Sequence, residues 1–268
     1  MHRILIIGAT GNIGGKVLSQ LTATGAQVRA LARNPDATRS APQVEVVRGD
    51  LTVPETLDGC LYGIDTVFLV WTAPSAAVAP TLERIAKHAR RIVFLSAPLK
   101  TAHPFFQQPN LFRDMGDHIE RLIETSGLRW TFLRPGMFAG NALRWWAPQI
   151  RAGDVVRWPH LAAPTAPIDE RDIAAVAVRV LCEDGHSGAE YVLTGPQSLS
   201  QFKQVSAIGQ PAFVTSTVAE ITGTPAPTFL DWATDHAAEF RARSLASADI
   251  GAQLLFRLWR ALPMLCMT

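Results

Sequence analysis

Seven short apolar runs recur along the chain, RILIIG, QVRALAR, VEVVRG, TVFLVW, RIVFLSA, WTFLRP and EYVLTG. Most are separated by stretches whose apolar residues follow the helical period. A strand covered on both faces reads as an unbroken apolar run, whereas a strand with one wet face alternates with polar residues. The helical stretches fall around Gly14 to Ala23, Val53 to Leu61, Ala77 to Ala89, Asp114 to Ser126 and Ile173 to Cys182. Strand followed by helix, repeated in this way, predicts an α/β protein built on a doubly wound parallel sheet.

The first run ends in Gly8-Ala9-Thr10-Gly11-Asn12-Ile13-Gly14 and leads directly into a helix. Each glycine has a physical reason there. Gly8 permits the reversal, Gly11 lets the backbone approach a ligand without an intervening Cβ, and Gly14 lets the helix pack against the strand. The first amides of such a helix have no partners within it and face an anion, which suits the pyrophosphate of a dinucleotide. The residues assigned to that contact are Gly8, Thr10, Gly11, Asn12, Ile13 and Gly14.

Which dinucleotide is decided at the end of the second strand, where an acid selects the NAD ribose and an Arg selects the 2′-phosphate of NADP. The run QVRALAR ends in Arg33, and no acid precedes Asp36, so NADP(H) is the expected cofactor. Arg33 as an ordinary surface cation is the alternative. Further contacts are placed at later strand ends. Asp50, with Leu51 beside it, is placed to accept from the adenine amino group. Thr72, Ala73 and Pro74 are small enough for the backbone to lie along the adenosine ribose and pyrophosphate; plain turn residues are the alternative for both loops. Ser96 ends the fifth run on the nicotinamide side, where it either orients a substrate carbonyl or is satisfied by backbone.

Composition narrows the function. Apolar residues make up 48% and charged residues 18%, as in a globular protein. The net charge is +2 with the basic residues dispersed, so no nucleic-acid surface is expected. No run of about 18 uninterrupted apolar residues exists to cross a membrane. The three cysteines lack paired spacing, which suits free thiols in the cytoplasm. The histidines form no metal-binding pattern, so no metal site is expected. Asp172 is read as a helix cap, and Ser198 with Gln201 as a capping box opening a further helix.

From about Asn141 the texture changes, with Trp145, Trp146 and many prolines. The chain is thus divided into a dinucleotide-binding core at 1–140, a substrate-covering region at 141–240 whose strands return to the sheet, and a C-terminal extension at 241–268. Adjacent helix positions point about 100° apart, so Trp145 and Trp146 cannot both face one pocket, and one of them packs. In the extension, Leu254, Leu255, Phe256, Leu258, Trp259 and Leu262 recur at helical spacing. They suit docking on the same chain or on a twin subunit as a homodimer, or else form a sticky tail.

GATGNIG, VRALARNP, GDL, SGLRWTFLRPGMFAGN, PIDERDIA and YVLTGPQSLS together resemble the NmrA-like NAD(P)-binding proteins of the atypical short-chain dehydrogenase/reductase superfamily. The match covers most of the first two hundred residues, and LRPGMFAGN is its specific part. The resemblance implies a Rossmann-type domain using NADP(H), with LRPGMFAGN beside the nicotinamide, which adds Pro135 and Phe138 to the cofactor contacts. It also implies a small C-terminal part that shapes a substrate cavity. Members include quinone and small-carbonyl reductases, aromatic ether reductases and non-catalytic redox sensors.

Two departures bear on activity. The wider superfamily uses a YxxxK pair, in which Lys lowers the phenol pKa for proton exchange. Here the two tyrosines, Tyr62 and Tyr191, are not followed by Lys at that spacing, and no catalytic residue is assigned. The helix that would carry the pair offers Asp117, His118 and Glu120, with His118 read either as a proton donor or as part of a charged surface with Glu120 and Arg121. The second departure is a shortened stretch near SAIGQPAFVTSTVAEITG. The expected function is hydride transfer from NADPH to a small quinone-like or aromatic carbonyl acceptor; a non-catalytic NADP(H) sensor is the alternative.

Overall fold

Parallel strands stacked edge to edge order the chain. The computed structural model describes residues 3–35, 43–97, 111–152, 164–200 and 215–240. In chain order the elements are β1 (Arg3–Ile7), α1 (Asn12–Ala23), β2 (Gln27–Ala32), β3 (Glu45–Arg48), α2 (Leu57–Leu61), β4 (Thr66–Val70), α3 (Val78–His88), β5 (Arg91–Leu95), α4 (Leu111–Glu124) and β6 (Arg129–Pro135). There follow α5 (Asn141–Trp145), α6 (Ala147–Arg151), β7 (Pro164–Thr165), α7 (Glu170–Cys182), β8 (Ala189–Leu193), β9 (Leu199–Ser200), α8 (Thr217–Thr222), α9 (Phe229–Asp235) and α10 (Ala237–Phe240).

The seven-stranded sheet has the order β3-β2-β1-β4-β5-β6-β8, and every neighbouring pair is parallel. All seven apolar runs supply its strands, which bears out the predicted fold class. The alternation of a strand explains the two cores. Ile4 and Ile6 point to one face with Val17 and Leu21 of α1 and Ile173 and Ala177 of α7. Leu5 and Ile7 point to the other, with Leu57 of α2, Leu82 and Ile85 of α3, and Ile119 and Ile123 of α4. Because both faces are covered, an unbroken apolar run is what each central strand requires.

β8 returns from the distal segment to pair with β6. A separate antiparallel pair joins Pro164 to Ser200 and Thr165 to Leu199.

Two boundary expectations are corrected. The cap of α7 is Asp169, whose Oδ1 accepts from the Arg171 N–H at 2.7 Å, while Asp172 lies inside the first turn. Ser198 does not open a helix, since Leu199 and Ser200 are extended to pair with β7; Gln201 lies outside the described residues. So do the C-terminal extension at 241–268 and part of the shortened stretch. Trp146 caps α5 and packs with Leu143 against Ala139, Ala142 and Trp232, so at least this tryptophan of the pair is a packing residue.

Candidate functional site

Because the strands are parallel, their carboxyl ends share one edge, and the sequence order reverses between β1 and β4. Open α/β sheets bind ligands in the crevice at such a reversal. The residues singled out in the sequence follow six successive strand ends: Gly8 after β1, Arg33 after β2, Asp50 after β3, Thr72 after β4, Ser96 after β5 and Pro135 closing β6. The fold therefore brings them to one side of the molecule.

The β1–α1 turn is built on close approach. Gly8 has φ +92°, a left-handed conformation that side chains disfavour, and its carbonyl accepts from the Gly11 N–H at 2.9 Å. A Cβ on Gly14 would stand 2.1 Å from the Gly8 carbonyl oxygen, far inside van der Waals contact, so α1 lies on the turn itself. The first helical bond runs from the Gly15 N–H to the Gly11 carbonyl at 2.9 Å. The amides of Asn12, Ile13 and Gly14 therefore precede the ladder, no side chain caps them, and the first turn holds no acid. Thr10, Gly11 and Asn12 are exposed, whereas the Ile13 side chain is buried in the core, leaving only its backbone for any ligand.

At the second and third strands Arg33 is exposed. Asp50 Oδ1 accepts from the Thr52 N–H and Oγ1, both at 2.8 Å. Those bonds, with a contribution from the Arg33 charge, hold the Asp50 carboxyl below its ordinary range. Leu51 is buried in the core under α2 and α3. Thr72 and Pro74 are exposed and Ala73 is half-buried. A cavity of about 270 Å³ lies between these two loops, lined by Thr52, Pro54, Glu55, Pro74, Ala76 and Pro80 among others.

On the far side of the reversal, the Ser96 N–H donates to the Leu133 carbonyl at 2.8 Å. Its hydroxyl is buried and has no hydrogen-bond partner among the described residues, so the backbone does not satisfy it. Gly116 of α4 faces it closely enough that an added Cβ would stand 3.1 Å from Oγ. The Trp71 indole N–H, one strand over, is likewise buried and unpaired. Pro135 is buried, and half-buried Phe138 is bridged through its backbone to Ile168.

Of the three titratable residues named on α4, Glu120 is corrected. It is 2% exposed and ion-paired to Arg134, with the Arg134 Nε–H donating to Oε1 at 3.0 Å, so it belongs to no charged surface and is not a free acid. Asp117 is paired with Arg121. His118 is half-buried.

One cluster was missed by sequence reasoning. Asp169 and Glu170, each 3% exposed, sit at the start of α7 next to the α1 turn. The Asn12 Nδ2 donates to Glu170 Oε1 at 3.2 Å, and the Lys16 Nζ donates to Asn12 Oδ1 at 2.8 Å. Both ends of the Asn12 amide are thus engaged by protein, which removes that side chain as an obvious cofactor ligand. The available signal was PIDERDIA itself, three acids within four residues ahead of an apolar helix.

The NAD(P)H-binding family matches residues 8–184, the span from the glycine turn through α7. The chain belongs to that family. It is 33% identical, over 88% of its own length and 99% of the relative's, to a (4-alkanoyl-5-oxo-2,5-dihydrofuran-3-yl)methyl phosphate reductase of Streptomyces griseus. It is 32% identical to an NAD(P)H azoreductase of Xenophilus azovorans, over 89% of this chain and 99% of the relative. Among solved structures, the triphenylmethane reductase of Citrobacter sp. complexed with NADP(H) has the same fold. Its TM-score is 0.74 at 17% identity, covering 88% of this chain and 100% of that one. The NAD(P)-binding kinship implied by the resemblance is borne out at the level of the NAD(P)H-binding family, and the solved structures share the Rossmann-type fold. NAD(P)H is the cofactor class of this NAD(P)H-binding protein, and its relatives support oxidoreduction as the coarse activity. No helix among the described residues is long and apolar enough to cross a membrane.

Proposed function

We propose that this NAD(P)H-binding protein is an NADPH-dependent reductase of small, flat, conjugated acceptors, quinone-like or aromatic carbonyl compounds. The observation that carries the reading is the uncapped, acid-free start of α1 on a glycine turn too tight for side chains. Those amides fit a diphosphate by charge and by shape. Arg33, exposed beyond β2, takes the 2′-phosphate. Asp50, Leu51 and Thr72 to Pro74 flank the adenosine, and Ser96, Pro135 and Phe138 bound the nicotinamide end.

NADPH, when bound, supplies a hydride. The chain's own part is to orient and to exclude water: Leu143, Trp146 and Phe229 build an apolar wall around Trp232 in the segment read as the substrate cover. Without a YxxxK pair the protein lacks the superfamily's proton donor. An acceptor whose reduced oxygen is stabilised by its own ring needs none, which favours quinones over simple ketones. That same absence favours the second reading, a sensor that binds NADP(H) without consuming it. We place the protein in the cytoplasm, where the free thiols of Cys60 and Cys182 persist, and read the apolar tail as a docking segment for this chain or a twin.

The test is purified protein with NADPH and a quinone panel, following the absorbance of the reduced nicotinamide. Consumption above a Gly11→Asp control supports the reductase. Tight binding without consumption selects the sensor, and no binding at millimolar NADPH overturns both. Arg33→Ala weakens NADPH by about tenfold with NADH changed less than twofold; equal losses would remove Arg33 from the 2′-phosphate.

A further inference from the structure

Gly140 has φ −62° and ψ −13°, ordinary right-handed helical values that any residue adopts. Conformational freedom therefore does not explain a glycine there. Close approach does: a Cβ at Gly140 would overlap Oε1 of Glu170, the oxygen that accepts from the Gly140 N–H at 3.0 Å. The same oxygen accepts from Asn12 Nδ2, and Asn12 Oδ1 from Lys16. One buried carboxylate thus ties together the first turn of α1, the end of the LRPGMFAGN loop and the start of α7. Its two N–H donors offset the loss of hydration that burial imposes.

We infer that Glu170 is a positioning residue, a clasp that sets the LRPGMFAGN loop against the first turn of α1 and so fixes the gap between cofactor cradle and acceptor space. The inference rests on the reductase reading. Through Phe138 the loop bounds the nicotinamide end in that reading, while α1 supplies the diphosphate donors. A clasp between them controls their separation without touching either ligand, and a displacement of about 1 Å matters for such alignment. A cavity of about 200 Å³ borders the clasp, lined in part by Asn12, Lys16, Gly140 and Glu170. A displaced carboxylate has room to swing there, so pushing it aside releases the clasp and spares the fold.

The experiment measures the NADPH dissociation constant by calorimetry and the KM for menadione in five proteins: wild type, Glu170→Ala, Glu170→Gln, Gly140→Ala, and Glu170→Ala combined with Gly140→Ala. Glu170→Ala and Gly140→Ala each raise the menadione KM about tenfold and the NADPH Kd about threefold. Glu170→Gln stays within about twofold of wild type, because an amide oxygen accepts the same two bonds. Gly140→Ala adds nothing once Glu170 is Ala, since the colliding oxygen is gone; an equal cost in both backgrounds overturns the inference. If Glu170→Ala shows no cooperative thermal transition, the two single variants decide. A wild-type KM in Gly140→Ala, or a loss in Glu170→Gln matching that in Gly140→Ala, overturns the clasp. Wild-type protein giving no heat with NADPH, or binding it without consuming it in the presence of menadione, overturns the reductase reading and the inference with it, whereas normal wild-type binding and turnover with unchanged variants overturns the clasp alone.

Discussion

Helices α1 and α7 pack side by side on one face of the sheet, and both start at its carboxyl edge. Their dipoles present the same positive end, yet the two starts are built in opposite ways. α1 begins on Gly11 with no capping side chain and no acid in its first turn. α7 begins on Asp169, which caps it, and carries Glu170 and Asp172 in its first turn. One helix start carries no carboxylate of the protein; the other is filled by them. A helix N-terminus is thus an opportunity, and the residues of the first turn decide whether a ligand or the fold uses it.

The contrast can be broken most severely at Gly14. Gly14→Ala drives a Cβ into the Gly8 carbonyl, where backbone cannot yield as a side chain would. It lowers stability by at least about 3 kcal/mol, read as a fall in the urea midpoint or a failure to fold. Stability within about 0.5 kcal/mol of wild type would show that α1 does not rest on the turn.

Next comes Gly11→Asp, which gives α1 the kind of start that α7 has. The backbone at Gly11 is extended, with φ −85° and ψ 173°, which an Asp adopts, its Cβ standing 3.3 Å from the Gly8 carbonyl oxygen. As an N-cap it raises stability by about 0.3 kcal/mol, while its carboxylate repels the diphosphate and weakens NADPH by about a hundredfold or more. Opposite signs in the two measurements are the signature sought. Affinity unchanged beside a raised melting temperature would remove the diphosphate from this helix.

The difference between the helices also explains what could be read from sequence. The turn before α1 is a local arrangement: Gly8, Gly11 and Gly14 lie within seven residues, and their spacing carries the geometry directly. The strands were equally legible, because burial on both faces leaves no polar residue to interrupt a run such as ILII or VFLV. The clasp was not legible, since it joins Glu170 to Gly140, thirty positions away, and to Asn12, 158 positions away. Gly140 carried a trace of it, but a glycine in a loop is read first as a turn. The α7 cap was displaced by three residues because Asp169 and Asp172 both precede the apolar period. Only the coordinates show that Asp169 reaches the Arg171 N–H. Ser198 had the residues of a capping box, and pairing across to β7 overrode them.

Asp169→Ala tests the filled helix. Losing the cap, together with the carboxylate that pairs with Arg171, costs about 1–2 kcal/mol in thermal or chemical unfolding. NADPH affinity moves by less than about twofold, because this cap serves α7 rather than the α1 amides. A large loss of affinity with stability intact would mean that the two helix starts share one ligand.

The last test is one of pH dependence, at Asp172. Burial, then the neighbouring Asp169 charge, push its carboxyl up to about 7 from the ordinary 3.8, with Arg171 opposing, and its Oδ2 has no partner among the described residues. The folded state therefore keeps a proton that the unfolded chain releases. As pH rises from about 4 to about 7, the unfolded form is increasingly favoured by this group, and above that window its contribution is constant. Asp172→Asn removes the titration and keeps the shape, so the variant should lose less of its melting temperature between pH 5 and pH 8 than wild type does, by up to about five degrees. Parallel curves for the two proteins would mean that Asp172 is ionised in the fold at pH 5. The start of α7 would then tolerate three negative charges within four residues, and the dipole would carry more of the balance at both helices than their side chains suggest.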